Sequence, residues 1–181
     1  MTQLTVYADD RPDRPELQSD DFDTIRRLLD SAGIRFQRWH ADRELAPDAD
    51  DETILAAYRP EIDRLVGEAG YRSWDVVSMN PDHPQKHELR NRFLAEHRHS
   101  EDEVRFFVRG RGLFVLHLAD KVYALLCEKD DLVSVPANTP HWFDMGPNPV
   151  FTAIRLFNNP EGWVAQFTGD DIAGRFPRLD D

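Results

Sequence analysis

The 181-residue chain contains one cysteine, Cys127, so no disulfide can close within it and a disulfide-rich scaffold is excluded. In the setting YALLC that cysteine reads as a buried, inert thiol rather than a nucleophile. Long apolar runs are missing too: stretches such as Tyr123 to Cys127 fall far short of the ~20 residues of a membrane helix. The opening MTQLTVYADDRPDRPEL has no basic segment followed by an apolar one, as a secretory signal would, and a cytoplasmic location is expected. Basic side chains are scarce, with 22 Lys and Arg against 34 Asp and Glu and a net charge of -12. Phosphate backbones and anionic headgroups attract basic surfaces, so this balance excludes a general nucleic-acid or membrane-surface binder. No repeat, low-complexity tract or Ser/Gly-rich linker divides the chain, whose length suits one domain over 1–181.

What is present changes character near residue 97. Residues 1–96 read as helices mixed with short strands. Asp20 or Asp21 caps a helix whose Ile25, Leu28 and Leu29 share a face, and Gly33 ends it. IRFQRWH (34–40) alternates as a half-buried strand does. Ile54, Leu55, Tyr58, Ile62, Leu65 and Val66 are spaced helically, with an interruption at Pro60, which lacks an N–H. WDVVSM reads as a strand and residues 84–94 as a helix. After 97, the stretches VRFFV, LFVLHL, KVYALLC, LVSV and VFTAIRLF are short, β-branched and aromatic, and separated by turn residues. The expected architecture is mainly β, an antiparallel barrel or sandwich with helices packed outside it. Arg109-Gly110-Arg111-Gly112 is expected to be a hairpin turn between two of these strands.

The chemistry concentrates in EHRHSEDE. On a strand His97 and His99 project from one face, about 6.6 Å apart along the chain, and can meet at one ion. A turn at Ser100-Glu101-Asp102 returns Glu103 to the two imidazoles. His141, after the rigid turn PANTP, is the best candidate for a fourth ligand. His40, His83, His87 and His117 carry no such pattern. Three neutral imidazoles and one carboxylate leave a divalent ion a formal charge of +1 and two open positions in an octahedron. Such a set suits Fe(II) or Ni(II), one per chain, better than a closed zinc site.

HxHxxxExxxxxxG from His97 to Gly110, followed by Pro136 to His141, resembles the two cupin motifs, with Asn138 where the second motif usually has Gly. Within the cupins, FLAEHRHSEDEVRFFVRGRGLF, PHWFDMG and AIRLFNNPEGWVA resemble the acireductone dioxygenase family, a match running from about Trp74 to Phe167. The resemblance implies a cupin jelly-roll barrel over about 74–167 with the segment 1–96 packed on it. It also implies oxidative cleavage of an acireductone by O₂ in methionine salvage, by a monomer. The substrate would be an enediol dianion that chelates the metal. Arg105, on the strand face of Glu103, would offset its charge as the catalytic arginine. Arg155, a cation within an apolar strand, should face the cavity or an acidic partner. By the same resemblance Phe93, Phe143 and Trp163 line the substrate pocket. Glu96 and Asp102, which flank the ligands, would orient the imidazoles and are linked in the family to metal incorporation and to transmitting local changes. Two other readings share these ligands: a different cupin dioxygenase or isomerase, and a non-catalytic metal-binding cupin.

Overall fold

The computed structural model describes residues 1–41, 43–159 and 164–180. Among the described residues four α-helices punctuate a mainly β chain. Helix α1 (Phe22–Ser31) starts at Asp21, whose side chain accepts from the Thr24 amide, and the chain turns out of it through Gly33 at a φ of +80°. Asp50 caps α2 (Asp51–Ala57) in the same way. The interruption at Pro60 is real: Tyr58 both ends α2 and opens α3 (Arg59–Ala69), whose first turn tolerates the proline. Helix α4 spans Lys86–Leu94.

The strands are β1 (Gln3–Ala8), β2 (Pro15–Ser19), β3 (Arg35–Arg38), β4 (Ser73–Met79), β5 (His97–Arg98), β6 (Glu103–Leu118), β7 (Lys121–Glu128), β8 (Asp131–Val135), β9 (His141–Asp144), β10 (Phe151–Phe157) and β11 (Gln166–Phe167). They form two facing layers. One runs β11-β5-β9-β6-β7-β1-β2 and the other β4-β10-β6-β8-β3, every pairing antiparallel. Strand β6 belongs to both. Its first half pairs with β8 and β10, and its second half with β7 and β9.

This corrects the hairpin expected at Arg109–Gly112. The segment is a corner within one 16-residue strand. Gly110, at a φ of +75°, bends the chain from one layer to the other, and a Cβ there would overlap the Val150 carbonyl oxygen at 1.9 Å. A corner and a hairpin both require a left-handed residue, so the local sequence signal is the same. The N-terminal segment also does more than pack outside: β1 hydrogen-bonds to β7 and β3 to β8.

Between the layers lies a core that includes Leu4, Phe107, Phe114, Leu125, Phe143 and Phe151. Alternation along β6 sends Val104, Phe106 and Val108 the other way, into a second core with Trp39, Tyr58 and Ile62 beneath α2 and α3. Glu103, Arg105 and Phe107 are left facing inward. Burying cations and carboxylates between two apolar layers is costly unless they are paired, so the interior charges mark the site.

Candidate metal centre and its cavity

Register places the imidazoles. Strand β5 lies beside β9 with His97 opposite His141, and the His99 carbonyl accepts from the Asn138 amide at 2.8 Å, which ties the first histidine segment to the turn before β9. Asn138 adopts a φ of +63°, the left-handed conformation for which cupins commonly use glycine there. The ring centroids of His97, His99 and His141 stand 4.6–5.3 Å apart, and their candidate donor atoms lie within 4.8 Å of one another.

Glu103 opens β6 against Val135 of β8 and points at the same spot: its Oε2 lies 2.9 Å from His141 Nε2 and 3.2 Å from His99 Nε2. Backbone carbonyls fix the tautomers. His97 Nδ1 is 2.7 Å from the Ala95 oxygen and His141 Nδ1 is 2.8 Å from the Thr139 oxygen, so each Nδ1 carries the proton and each Nε2 presents a lone pair. A lone pair of His141 therefore faces a carboxylate oxygen at 2.9 Å. Two acceptors at that distance repel one another unless a cation is shared by both, and three nitrogens with one oxygen form a donor set that fits a divalent transition metal.

Electrostatics prepares the ligands. Burial, then the neighbouring His141, pushes the His97 imidazole down to about 4, so it is neutral near pH 7. Burial alone would raise Glu103, but the Arg105 guanidinium and then the neighbouring His141 and His99 side chains hold it well below the usual carboxylate range. Arg105 Nη2 donates to Glu103 Oε1 at 2.8 Å, leaving Oε2 for the imidazoles. The guanidinium carbon lies 5.3 and 5.1 Å from the ring centroids of Phe114 and Phe143. Arg155 stands opposite Arg105 on β10, and Asp75 stands opposite Arg155 on β4. Asp75 binds Arg155 through two hydrogen bonds of 2.8 and 2.5 Å. A row of one carboxylate and two guanidinium groups thus crosses three strands behind the imidazoles.

The three imidazoles, Glu103, Arg105 and Arg155 line a cavity of about 300 Å³. Val77, Met79, Leu89, Phe93, Phe143 and Phe151 make its apolar wall, and Arg92 and Ala165 also line it. Trp163 lies outside the described residues. Glu96 and Asp102 sit differently from the expectation. The Glu96 carboxylate bonds His117 Nδ1 at 2.8 Å and Thr168 Oγ1 at 2.7 Å, while Asp102 accepts from the Ala137 amide at 2.8 Å and from Tyr71 at 3.5 Å. It is the backbone that orients His97 and His141; these carboxylates fasten the surrounding segments to one another. Reasoning from sequence passed over His117 and Asp75, each recognisable only by a partner distant in the chain.

A family model described as the ARD/ARD' family matches residues 3–165. The chain belongs to that family. A relative named acireductone dioxygenase from Yersinia enterocolitica is 60% identical over 180 residues, covering 99% of this chain and 100% of the relative. Another of that name, from Cronobacter sakazakii, is 61% identical over 179 residues, covering 99% of each. Among solved structures, an acireductone dioxygenase from Bacillus anthracis with a cadmium ion in its active centre superposes with a TM-score of 0.79 at 29% identity. It covers 92% of this chain and 98% of that one. This ARD/ARD' chain therefore has the cupin architecture, with a histidine trio able to hold a metal at its centre.

Proposed function

We propose that the protein is a cytoplasmic, monomeric acireductone dioxygenase of methionine salvage with one Fe(II) or Ni(II) held by His97, His99, Glu103 and His141. The observation that carries this reading is the meeting of three imidazoles and a carboxylate at one end of a cavity whose other wall is apolar. When bound, the metal supplies Lewis acidity that favours the dianion of a 1,2-dihydroxy-3-keto-5-methylthiopentene.

The chain's own residues do the rest. Arg105, hydrogen-bonded to Glu103 and wedged near Phe114 and Phe143, sets a fixed positive charge beside the position of the enediolate. Arg155 adds to that potential while Asp75 tempers it. Phe93, Phe143 and the wall of Val77, Met79 and Phe151 receive the thioether tail and keep water from the electron-rich carbons. With Fe(II) the products are formate and 4-methylthio-2-oxobutanoate. With Ni(II) they are 3-methylthiopropionate, formate and carbon monoxide. Both sets balance one substrate and one O₂.

Anaerobic loading with Fe(II) or Ni(II), followed by acireductone and O₂, tests the reading through oxygen uptake and product analysis. O₂ consumption with metal-dependent products is expected, and no uptake with either metal would overturn it. Arg105→Ala should retain metal while losing about 10²–10³ in turnover, as removal of a preorganised donor does elsewhere.

A further inference from the structure

A second cavity, of about 490 Å³, lies apart from the metal centre, under the loop that follows β3. Three cations line it from three parts of the chain: Arg43 in that loop, Arg109 on β6 and Lys129 in the turn between β7 and β8. None of the three makes an ion pair or side-chain hydrogen bond among the described residues. The cavity belongs to a chain of net charge -12 in which Arg26, Arg35, Arg38, Arg59, Arg64 and Lys121 are paired with carboxylates, whereas these three converge on one space. Arg109 is half-buried, so its charge has lost part of its hydration without gaining a partner.

The backbone aims these groups. Where β6 pairs with β10 the register slips: Thr152 faces Arg109 and Ala153 faces Phe107, so Val108 is an extra residue in the ladder. Such a bulge turns consecutive side chains to one side, and Val108 and Arg109 both line the cavity. Leu45, Pro47 and Tyr58 add apolar surface. Among the described residues two carboxylates, Asp130 and Glu44, also line it against the three cations, Glu44 on the exposed loop beside Arg43.

We propose that this cavity binds a small organic anion, a carboxylate carried on a short apolar body, with Arg109 as the principal anchor, Lys129 and Arg43 at its rim, and Val108, Leu45 and Pro47 against the body. Pentanoate is the probe, with pentylammonium as the charge-reversed control of the same length. Titration of the metal-loaded full chain, followed by calorimetry and by amide chemical shifts, should show saturable pentanoate binding that moves Val108, Arg109 and Lys129. Loss of a charge-assisted hydrogen bond is worth about a factor of ten in affinity, so Arg109→Ala should weaken binding about tenfold and Arg109→Lys should recover part of it. Lys129 is an exposed turn residue whose removal leaves the fold intact, and Lys129→Ala should weaken binding as well. Metal content should not change in any of these variants. Shifts confined to the residues around His97, equal binding of pentylammonium, or affinity unaltered in both Arg109→Ala and Lys129→Ala would each overturn the proposal.

Discussion

Replacing Gly112 by alanine probes how tightly the cavity wall is set. Gly112 lies just past the corner of β6, and a Cβ built there falls 2.4 Å from both Cε2 and Cζ of Phe143 and 3.3 Å from Cε1 of Phe107. Ordinary contact begins near 3.4 Å, so the Phe143 ring must move by about 1 Å. It has little room. Phe143 is 3% exposed, and its ring meets those of Phe93, Phe107, Phe114 and Phe151 at centroid distances of 5.0–6.4 Å. The open direction is the cavity that it lines. Overpacking of this kind costs about 1–3 kcal/mol. Alanine returns about 0.4–1 kcal/mol by restricting the unfolded chain, because the backbone of Gly112 is outside the left-handed region. The net loss is roughly 1–2 kcal/mol, or a fall in Tm of roughly 2–8 °C for a chain of this size. Thermal unfolding measures the first effect. Steady-state kinetics measures the second: KM should rise as the ring narrows the apolar end, with metal content unchanged. Adding Phe143→Leu should restore stability beyond the sum of the single changes. Unchanged or raised stability in Gly112→Ala, with KM unmoved, would refute the reasoning by showing that Phe143 has slack.

Two further perturbations test the frame around the site. Arg90 on α4 donates to both oxygens of buried Asp144, at 2.8 and 3.1 Å, while the amides of Gly146 and Leu179 bind the same carboxylate. Arg90→Met leaves those two amides as partial compensation, so the loss should be roughly 2–3 kcal/mol in denaturant melts, below the usual range for stranding a buried charge. A loss under 0.5 kcal/mol, at the level of an exposed ion pair, would contradict it. Tyr58 supplies a pH test. Burial, then the nearby Asp130, raises its hydroxyl to about 12 from an ordinary value of 10.0. The unfolded chain therefore ionises first, and the stabilisation present below pH 10 is lost as pH rises towards 12, to a total of roughly 2–3 kcal/mol. Tyr58→Phe should flatten that part of the alkaline stability profile, and an identical slope in the variant would show that Tyr58 does not cause it.

The cupin spacing was legible because it is local. HxHxxxE places three side chains by strand period and one turn, and PANTPH supplies a rigid approach for the fourth. The ends of α1 were legible for the same reason, as Asp21 and Gly33 act within a few residues of themselves. The corner at Gly110 was not, because the residue preference of a left-handed bend does not say whether the next strand folds back or carries on. Only pairing with β7 and β9 settles that. The Glu96–His117 and Arg155–Asp75 pairs were hidden for a different reason: their partners are 21 and 80 residues apart, and a lone charge on a strand names no partner.

Strand β6 also explains why a protein with so few cations buries one at its centre. Across a single strand face it delivers Glu103 and Arg105, so their separation is set by the pleat and does not depend on any loop. Burying such a pair in an apolar interior gains little stability and can cost some. What it does provide is a carboxylate already ionised, with one oxygen occupied by Arg105 and the other aimed at His99 and His141. His97 is neutral for the opposite reason, since burial disfavours its cation. Neither ligand has a proton to expel near neutral pH, so a metal ion entering the trio does not compete with protons at either of them. The acid-base state that a metal needs is thus built by the fold before the metal arrives: burial keeps His97 neutral, and Arg105 together with His141 and His99 keeps Glu103 ionised.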